Sequence, residues 1–239
     1  MTYPRSSHPA ILEVFEGCVS GMGELRVLGV MGRTVVSVRR ETAFRDAVCA
    51  LLAADAGAVP VVDDDGRPVG IVVGEALLTK LEFHGGNDPR PILGGAKARA
   101  RWRQSTARTA GELMIGPPVT VYGDTRLSRA AARLAESSQP LLCVVDPAMR
   151  LIGVLTPQDL LSVYNRTDDS IEAEVRALID RPPTTVTVHV DHGVVTLHGS
   201  LTFRSRAEHA TYAVHRIPGV VAVHNNLTYE LDDLAITGF

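Results

Sequence analysis

Cysteine is scarce: Cys18, Cys49 and Cys143 are an odd number, widely separated, and without the paired spacing of a disulfide framework or a zinc site. A reducing, cytoplasmic setting is the expectation. An excess of one charge is also missing, because 24 Lys and Arg stand against 27 Asp and Glu, a formal net charge of −3. The overall balance therefore gives no reason to expect nucleic acid, which rewards a strong positive excess, and any anionic contact must be local. No run approaches the roughly 18 apolar residues of a membrane span, and Glu13 and Glu16 interrupt the only apolar stretch near the N-terminus. Neither a span nor a signal peptide is expected. What is present is the 45% apolar content of an ordinary folded protein, over 239 residues.

A repeat organises most of the chain. Residues 29–38 (GVMGRTVVSV) align with 112–121 (ELMIGPPVTV), so that Met114 lies 83 residues after Met31, and Gly153 lies 83 after Gly70. An unchanged offset between the two anchors means no insertion inside either copy. The stripe Phe44, Ala47, Val48, Leu51, Leu52 recurs as Leu127, Ala130, Ala131, Leu134, Ala135, each with the spacing of one buried helix face. Thr42 and Thr125 stand where N-cap hydroxyls are expected. Each stripe is followed by two β-rich runs, Val59–Asp63 then Val69–Val73, and Leu142–Asp146 then Ile152–Thr156. Asp65-Gly66 marks a hairpin turn, which is also the reading of the Asp63-Asp64-Asp65 run, since it lacks the spaced ligands of a calcium loop. Leu77, Leu78, Leu81 and their counterparts Leu160, Leu161, Tyr164 predict the packing face of a closing helix. The order is strand, helix, strand, strand, helix, twice.

With its Met-x-x-x-x-Val-x-Val opening and its Gly-hydrophobic-hydrophobic-Thr-x-x-Asp closing at residues 153–159, this unit resembles the CBS repeat. The resemblance covers residues 27–82 and 108–165. It implies an α/β (α+β) fold in which the repeats pack through their sheets as a pseudo-symmetric pair with clefts between them, and association into a homodimer. It further implies that the closing Thr and Asp, here Thr156 and Asp159, bind an adenosyl ligand such as AMP, ATP or S-adenosylmethionine. The chemistry is consistent: a carboxylate accepts from the vicinal hydroxyls of a ribose, and a hydroxyl donates to a phosphate oxygen. Pro118, Val119, Leu141 and Leu142 are the expected apolar slot for the base. The same residues also read as a helix start, with Thr156 as N-cap and Pro157 at the first position. In the first repeat the matching positions are Val73 and Ala76, which bind neither a diol nor a phosphate, and Glu75 points about a quarter turn away. At most one site per chain is expected.

Residues 83–107 break the pattern with glycines and prolines and carry Arg90, Lys97, Arg99, Arg101 and Arg103 around the only tryptophan, Trp102, with Arg108 just beyond. This basic linker reads either as a reach toward ligand phosphates or an anionic partner, or as a solvated, partly helical connection. The first 26 residues hold Ile11, Leu12, Phe15 and Val19 in rough helical spacing, compatible with a short packing or dimer helix or with disorder.

From Asp168 a new pattern begins. Asp169 with Glu172 makes a capping pair, and Ile171, Val175, Leu178 and Ile179 form an apolar helix face. Val186, Val188 and Val190 alternate, His192-Gly193 turns the chain, and Val195 and Leu197 return it. A helix over residues 205–216 stops at Pro218-Gly219, and Val221, Val223 and Leu227 predict a last strand. This αββαβ unit with glycine corners, residues 168–230, resembles the BON domain, which implies a docking element for phospholipid or a protein partner; residues 231–239 are a tail. His189 and His198 share one face of the expected hairpin, where surface imidazoles are a better reading than a metal site. Cys49 and Cys143 read as small core residues. No nucleophile beside a base, no metal set and no phosphate-cradling loop is found. The expectation is a cytoplasmic, non-enzymatic sensor needing no obligatory cofactor, with a membrane surface or a protein left open as partner of the last domain.

Overall fold

The computed structural model describes residues 25–54, 56–91, 95–179 and 186–234. The expectations for the N-terminal extension, Cys18 included, and for the end of the tail lie outside these residues.

The first repeat consists of β1 (Val38–Arg39), α1 (Phe44–Ala54), β2 (Ala58–Val62), β3 (Pro68–Val73) and α2 (Gly74–Glu82). β2 is central, parallel to β1 and antiparallel to β3. The connection contains α3 (Gly95–Ser105) and the single turn α4 (Ala110–Leu113). The second repeat follows as β4 (Thr120–Tyr122), α5 (Leu127–Glu136), β5 (Leu142–Val145), β6 (Leu151–Leu155) and α6 (Pro157–Ser162), with the same pairing. Both hairpins turn on an aspartate that accepts backbone N–H groups, Asp63 from Asp65 and Arg67, and Asp146 from Arg150. Gly66 takes a left-handed φ of 79° in the first turn, and Met149 at the matching position takes 64° in the second.

Several local expectations are corrected. Leu52 is 78% exposed and Ala135 is also exposed, because the position eight residues along a helix is rotated by about 80° from the first, beyond what a three-stranded sheet covers. Cys49 is exposed on the same helix. α1 starts two residues after Thr42, whose Oγ1 accepts from the Arg39 N–H inside the preceding turn, and the N-cap of α5 is Arg126, whose side chain does not cap the helix. Leu78, Leu81, Leu161 and Tyr164 face outward, whereas Ala76 and Leu77 are buried.

The repeats are locked by an exchange of their opening segments. The 3-10 turn Val27–Gly29 and Met31 pack in the core of the second repeat, while Ala110, Leu113 and Met114 pack in that of the first. Met31 lies where a Cβ on Gly153 would stand, 2.6 Å from its sulfur, and Met114 lies likewise over Gly70, at 2.8 Å. Backbone bonds repeat the symmetry: Val27 N–H to Thr125 O (3.0 Å) matches Ala110 N–H to Thr42 O (2.9 Å), and the Gly32–Val154 bridge matches Ile115–Ile71. Between the sheets, Ala58 and Ile71 meet Leu141 and Cys143 in one buried cluster.

The third unit is α7 (Asp168–Ile179), β7 (Thr187–Asp191), β8 (Val194–Phe203), α8 (Arg204–Val214) and β9 (Ala222–Leu231). β8 is central, antiparallel to β7 and parallel to β9 through the α8 crossover. Ile171, Val175, Val188, Val190, Val195 and Leu197 form the core on one sheet face. Val221 lies before the last strand and is exposed. The Asp169–Glu172 capping pair is not formed, since α7 already includes Asp168 and Glu172 pairs with Arg176. Asp168 instead staples the hairpin: its carboxylate accepts the Gly193 and His192 N–H groups, each at 2.8 Å, where those two residues take φ of 76° and 51°. Those bonds, Gly193 first, hold its carboxyl below the ordinary range. Asp233 closes α8 from the far end of the unit, accepting from Ser205 N–H (3.0 Å) and Ser205 Oγ (2.5 Å).

Two predictions follow from these contacts. Gly70→Val and Gly153→Val each force branched carbon into the bed of a methionine and a carbonyl, and each is expected to lower stability by about 1–3 kcal/mol in urea unfolding. Because the folded-state pKa of Asp168 is depressed, its stabilisation is full above the unfolded value near ~3.9 and is lost as pH falls through the folded value. Asp168→Asn, with one acceptor oxygen for two amides, is expected to lower the melting temperature at pH 7 and speed exchange at His192 and Gly193, with a smaller difference from wild type at pH 3.

Candidate functional site

The register of the second sheet gathers the expected site residues at one end. Thr120 pairs with Cys143, the Cys143 N–H donates to Val119 O at 2.9 Å, and Leu142 pairs with Leu155. Val119, Leu142 and Leu155 therefore stand abreast, with Pro118, Leu141 and Thr156 one step beyond. From Thr156 the chain enters α6, whose first turn carries Asp159.

Thr156 and Asp159 form a reciprocal capping box. Asp159 N–H donates to Thr156 Oγ1 (3.2 Å), while Asp159 Oδ2 accepts from Thr156 N–H (2.7 Å) and from Thr156 Oγ1 (2.8 Å). Pro157 occupies the first helical position. The Thr156 hydroxyl is thus buried and committed to the carboxylate, whereas Asp159 is half-exposed and Oδ1 makes no hydrogen bond among the described residues. In the first repeat the same helix start is built from Val73, without a side-chain cap, and buried Ala76; Glu75 is exposed and turned outward.

Two of the four residues expected to line an apolar slot are not at the surface. Leu141 and Leu142 are fully buried, Leu141 between the sheets and Leu142 under α5, so they back the site without presenting surface to it. Pro118 and Val119 are half-exposed. Beside them lies a residue the sequence reading missed: Gln139, whose side-chain amide spans the Val119 N–H and the Pro117 carbonyl. A lone polar residue in a Ser-Ser-Gln-Pro loop gives no periodic signal, and only the fold brings it to residue 119. Cys143 is sealed in the core, and burial pushes its thiol pKa up to about 12, so it is no nucleophile at neutral pH.

The basic connection is helical. Ala98, Trp102 and Ser105 face α2, with Trp102 Nε1 donating to Asp88 O at 2.9 Å. Lys97, Arg99, Arg101 and Arg103 are exposed, and Arg101 pairs with Glu82. On the third unit, His189, His198 and His224 stand on the sheet face away from the core, and among the described residues no three metal-ligating side chains come together. No helix among the described residues is long and apolar enough to cross a membrane.

The end of α6 runs into the third unit. Arg166 bonds Glu174 (2.7 Å), the Pro218 carbonyl (3.1 Å) and Ser170 Oγ (2.7 Å), and is largely buried in doing so. A cleft of about 320 Å³ lies alongside, walled by Leu127, Leu160, Leu161 and Tyr164 on one side and by Ile217 and Val220 on the other.

Comparison with known proteins agrees with this division. Among curated proteins the chain is 27% identical over 147 residues to the chloroplastic CBS domain-containing protein CBSX2 of Arabidopsis thaliana, covering 56% of this chain and 61% of that one. It is 27% identical over 120 residues to the uncharacterized protein MK0525 of Methanopyrus kandleri, covering 50% and 53%. The chain thus spans less than two thirds of either relative. A crystal structure of CBSX2 in complex with AMP matches with 26% identity and a TM-score of 0.48, over 57% of this chain and 94% of that one. The family profile of the CBS domain matches residues 26–82 and 110–166, and that of the BON domain matches residues 167–230. The three sheets are accounted for in that order, and the chain carries two CBS domains followed by a BON domain.

Proposed function

We propose that this chain is a non-catalytic regulator that binds an adenosyl ligand of the AMP, ATP or S-adenosylmethionine class at Thr156 and Asp159 and passes the bound state to its BON domain. The observation that carries this reading is the difference between two helix starts on one backbone. The first repeat opens α2 with Val73 and Ala76 and no side-chain cap, so the fold does not require Thr156 and Asp159. The pair leaves one carboxylate oxygen, Oδ1, for a ribose diol, while the box fixes the orientation of the group. Pro118 and Val119 supply the apolar contact for the base, with Leu141 and Leu142 behind them. The ligand acts on the BON domain only through a difference in its affinity for two arrangements of the α6 end.

Homodimerisation belongs to the same proposal: Leu52, Leu78 and Leu81 leave an apolar face on the first repeat's helices in the single chain. The absent pair in that repeat favours a second reading, in which the CBS domains only dimerise and the BON domain holds a lipid or protein partner in the cytoplasm.

Calorimetry of the full chain with AMP, ATP and S-adenosylmethionine separates the two. Asp159→Asn keeps an acceptor for the Thr156 N–H but loses the charge offered to the diol, and it is expected to weaken binding about tenfold or more. Absence of heat from all three compounds, with vesicle co-sedimentation unaltered in Asp159→Asn, would leave the dimeric docking reading in place of the sensor.

A further inference from the structure

At the end of the second sheet the backbone of residues 117–119 offers a carbonyl and an N–H, and a side chain takes both. Gln139 Oε1 accepts from Val119 N–H at 2.8 Å, and its Nε2 donates to Pro117 O at 2.9 Å. One partner can only donate and the other only accept, so the orientation of the carboxamide is settled. Gln139 lies two residues before Leu141, outside the row of Pro118, Leu141 and Thr156, and its side chain reaches back to the backbone on either side of Pro118. The position 83 residues earlier is Ala56, which carries no such group. The carboxamide therefore occurs in the same repeat as Thr156 and Asp159 and is missing where they are missing.

We infer that Gln139 occupies, in the ligand-free protein, the place of an adenine base, and that a ligand must displace it to reach the Pro117 and Val119 backbone. This rests on the adenosyl reading of the site. A carboxamide presents an N–H donor and an acceptor joined through one carbon; the 6-amino group and N1 of adenine present the same pair at the same spacing. The two backbone groups that now hold the amide can hold that edge with no change of their own. Guanine and hypoxanthine carry the reverse order, an acceptor O6 beside a donor N1–H, and satisfy the pair only when the ring is turned over. Turning it over reverses the direction in which the glycosidic bond leaves the base, so a ribose anchored at Asp159 and a base edge held at Pro117 and Val119 together select a 6-aminopurine. The displaced carboxamide also sets a threshold, because apparent affinity is divided by the fraction of molecules in which the backbone pair is open.

The test is calorimetry of the full chain with AMP and GMP, on wild type, Gln139→Ala and the volume-preserving Gln139→Met. AMP is expected to bind both variants about tenfold more tightly than wild type, since two hydrogen bonds no longer compete with it, and GMP to bind all three at least tenfold more weakly than AMP. In the wild-type protein the side-chain NH₂ signals of Gln139 should move to solvent-like positions at saturating AMP. Equal or weaker AMP binding in both variants, or unmoved Gln139 signals at saturation, overturns the displacement while the adenosyl reading stands. Equal binding of GMP overturns the base selection. Absence of AMP binding in all three proteins overturns the adenosyl reading and this inference with it.

Discussion

Each sheet of the CBS pair is completed by the stretch of chain that leads into the other repeat, and this exchange is the constraint on which the rest of the molecule depends. Gly153 and Gly70 leave room for the sulfur atoms of Met31 and Met114, and the backbone bridges at Val154 and Ile71 hold the incoming segments in register. Neither repeat has a closed core without its partner's segment, since Val27 and Met31 fill one and Leu113 and Met114 the other. β6 consequently carries the seat of Met31 at Gly153 and the bridge to Gly32 at Val154, and the chain enters the candidate site at Thr156, only three residues past that seat. The site thus follows directly on a strand whose position the exchanged segment fixes.

On this symmetric frame three of the differences between the repeats fall at the candidate site. Val73, Ala76 and Ala56 in the first correspond to Thr156, Asp159 and Gln139 in the second. The order and pairing of the strands are common to both, so the polar set changes what the sheet end can hold on a shared topology. A buried hydroxyl bonded to a carboxylate, and a carboxamide bonded to backbone groups, are satisfied groups that rigidify this end at little cost to stability.

α6 has two ends with different obligations. Its first turn holds Asp159, and beyond its last turn Arg166 bonds Glu174 and the Pro218 carbonyl of the BON domain. Gly219 is tightly placed there, with Ile171, Arg166 and the Val163 carbonyl around the space a Cβ would take. An ion pair as shielded as Arg166–Glu174 is strongly destabilising to break, because one charge would remain without its partner. The junction is therefore held by contacts that are costly to break.

The sequence determined the repeat, the element order, the helix and strand types, the hairpin turns and the uneven endowment of the two closing motifs, because these follow from local periodicity and turn chemistry acting over a few residues. It also brought out the alternation that puts His189 and His198 on one sheet face. The tertiary structure alone decided that Met31 serves the second repeat and Met114 the first, since a segment's periodicity does not say which of two equivalent sheets it will cover. Burial at the edge of a stripe was decided the same way: Leu52 and Leu78 are as apolar as Leu51 and Leu77, and only the width of the sheet beneath them leaves the former exposed. Gln139, Asp168 and Asp233 acquired their roles by bonding across distances of 20, 25 and 28 residues, and no local pattern records a hydrogen bond whose partner arrives through the fold.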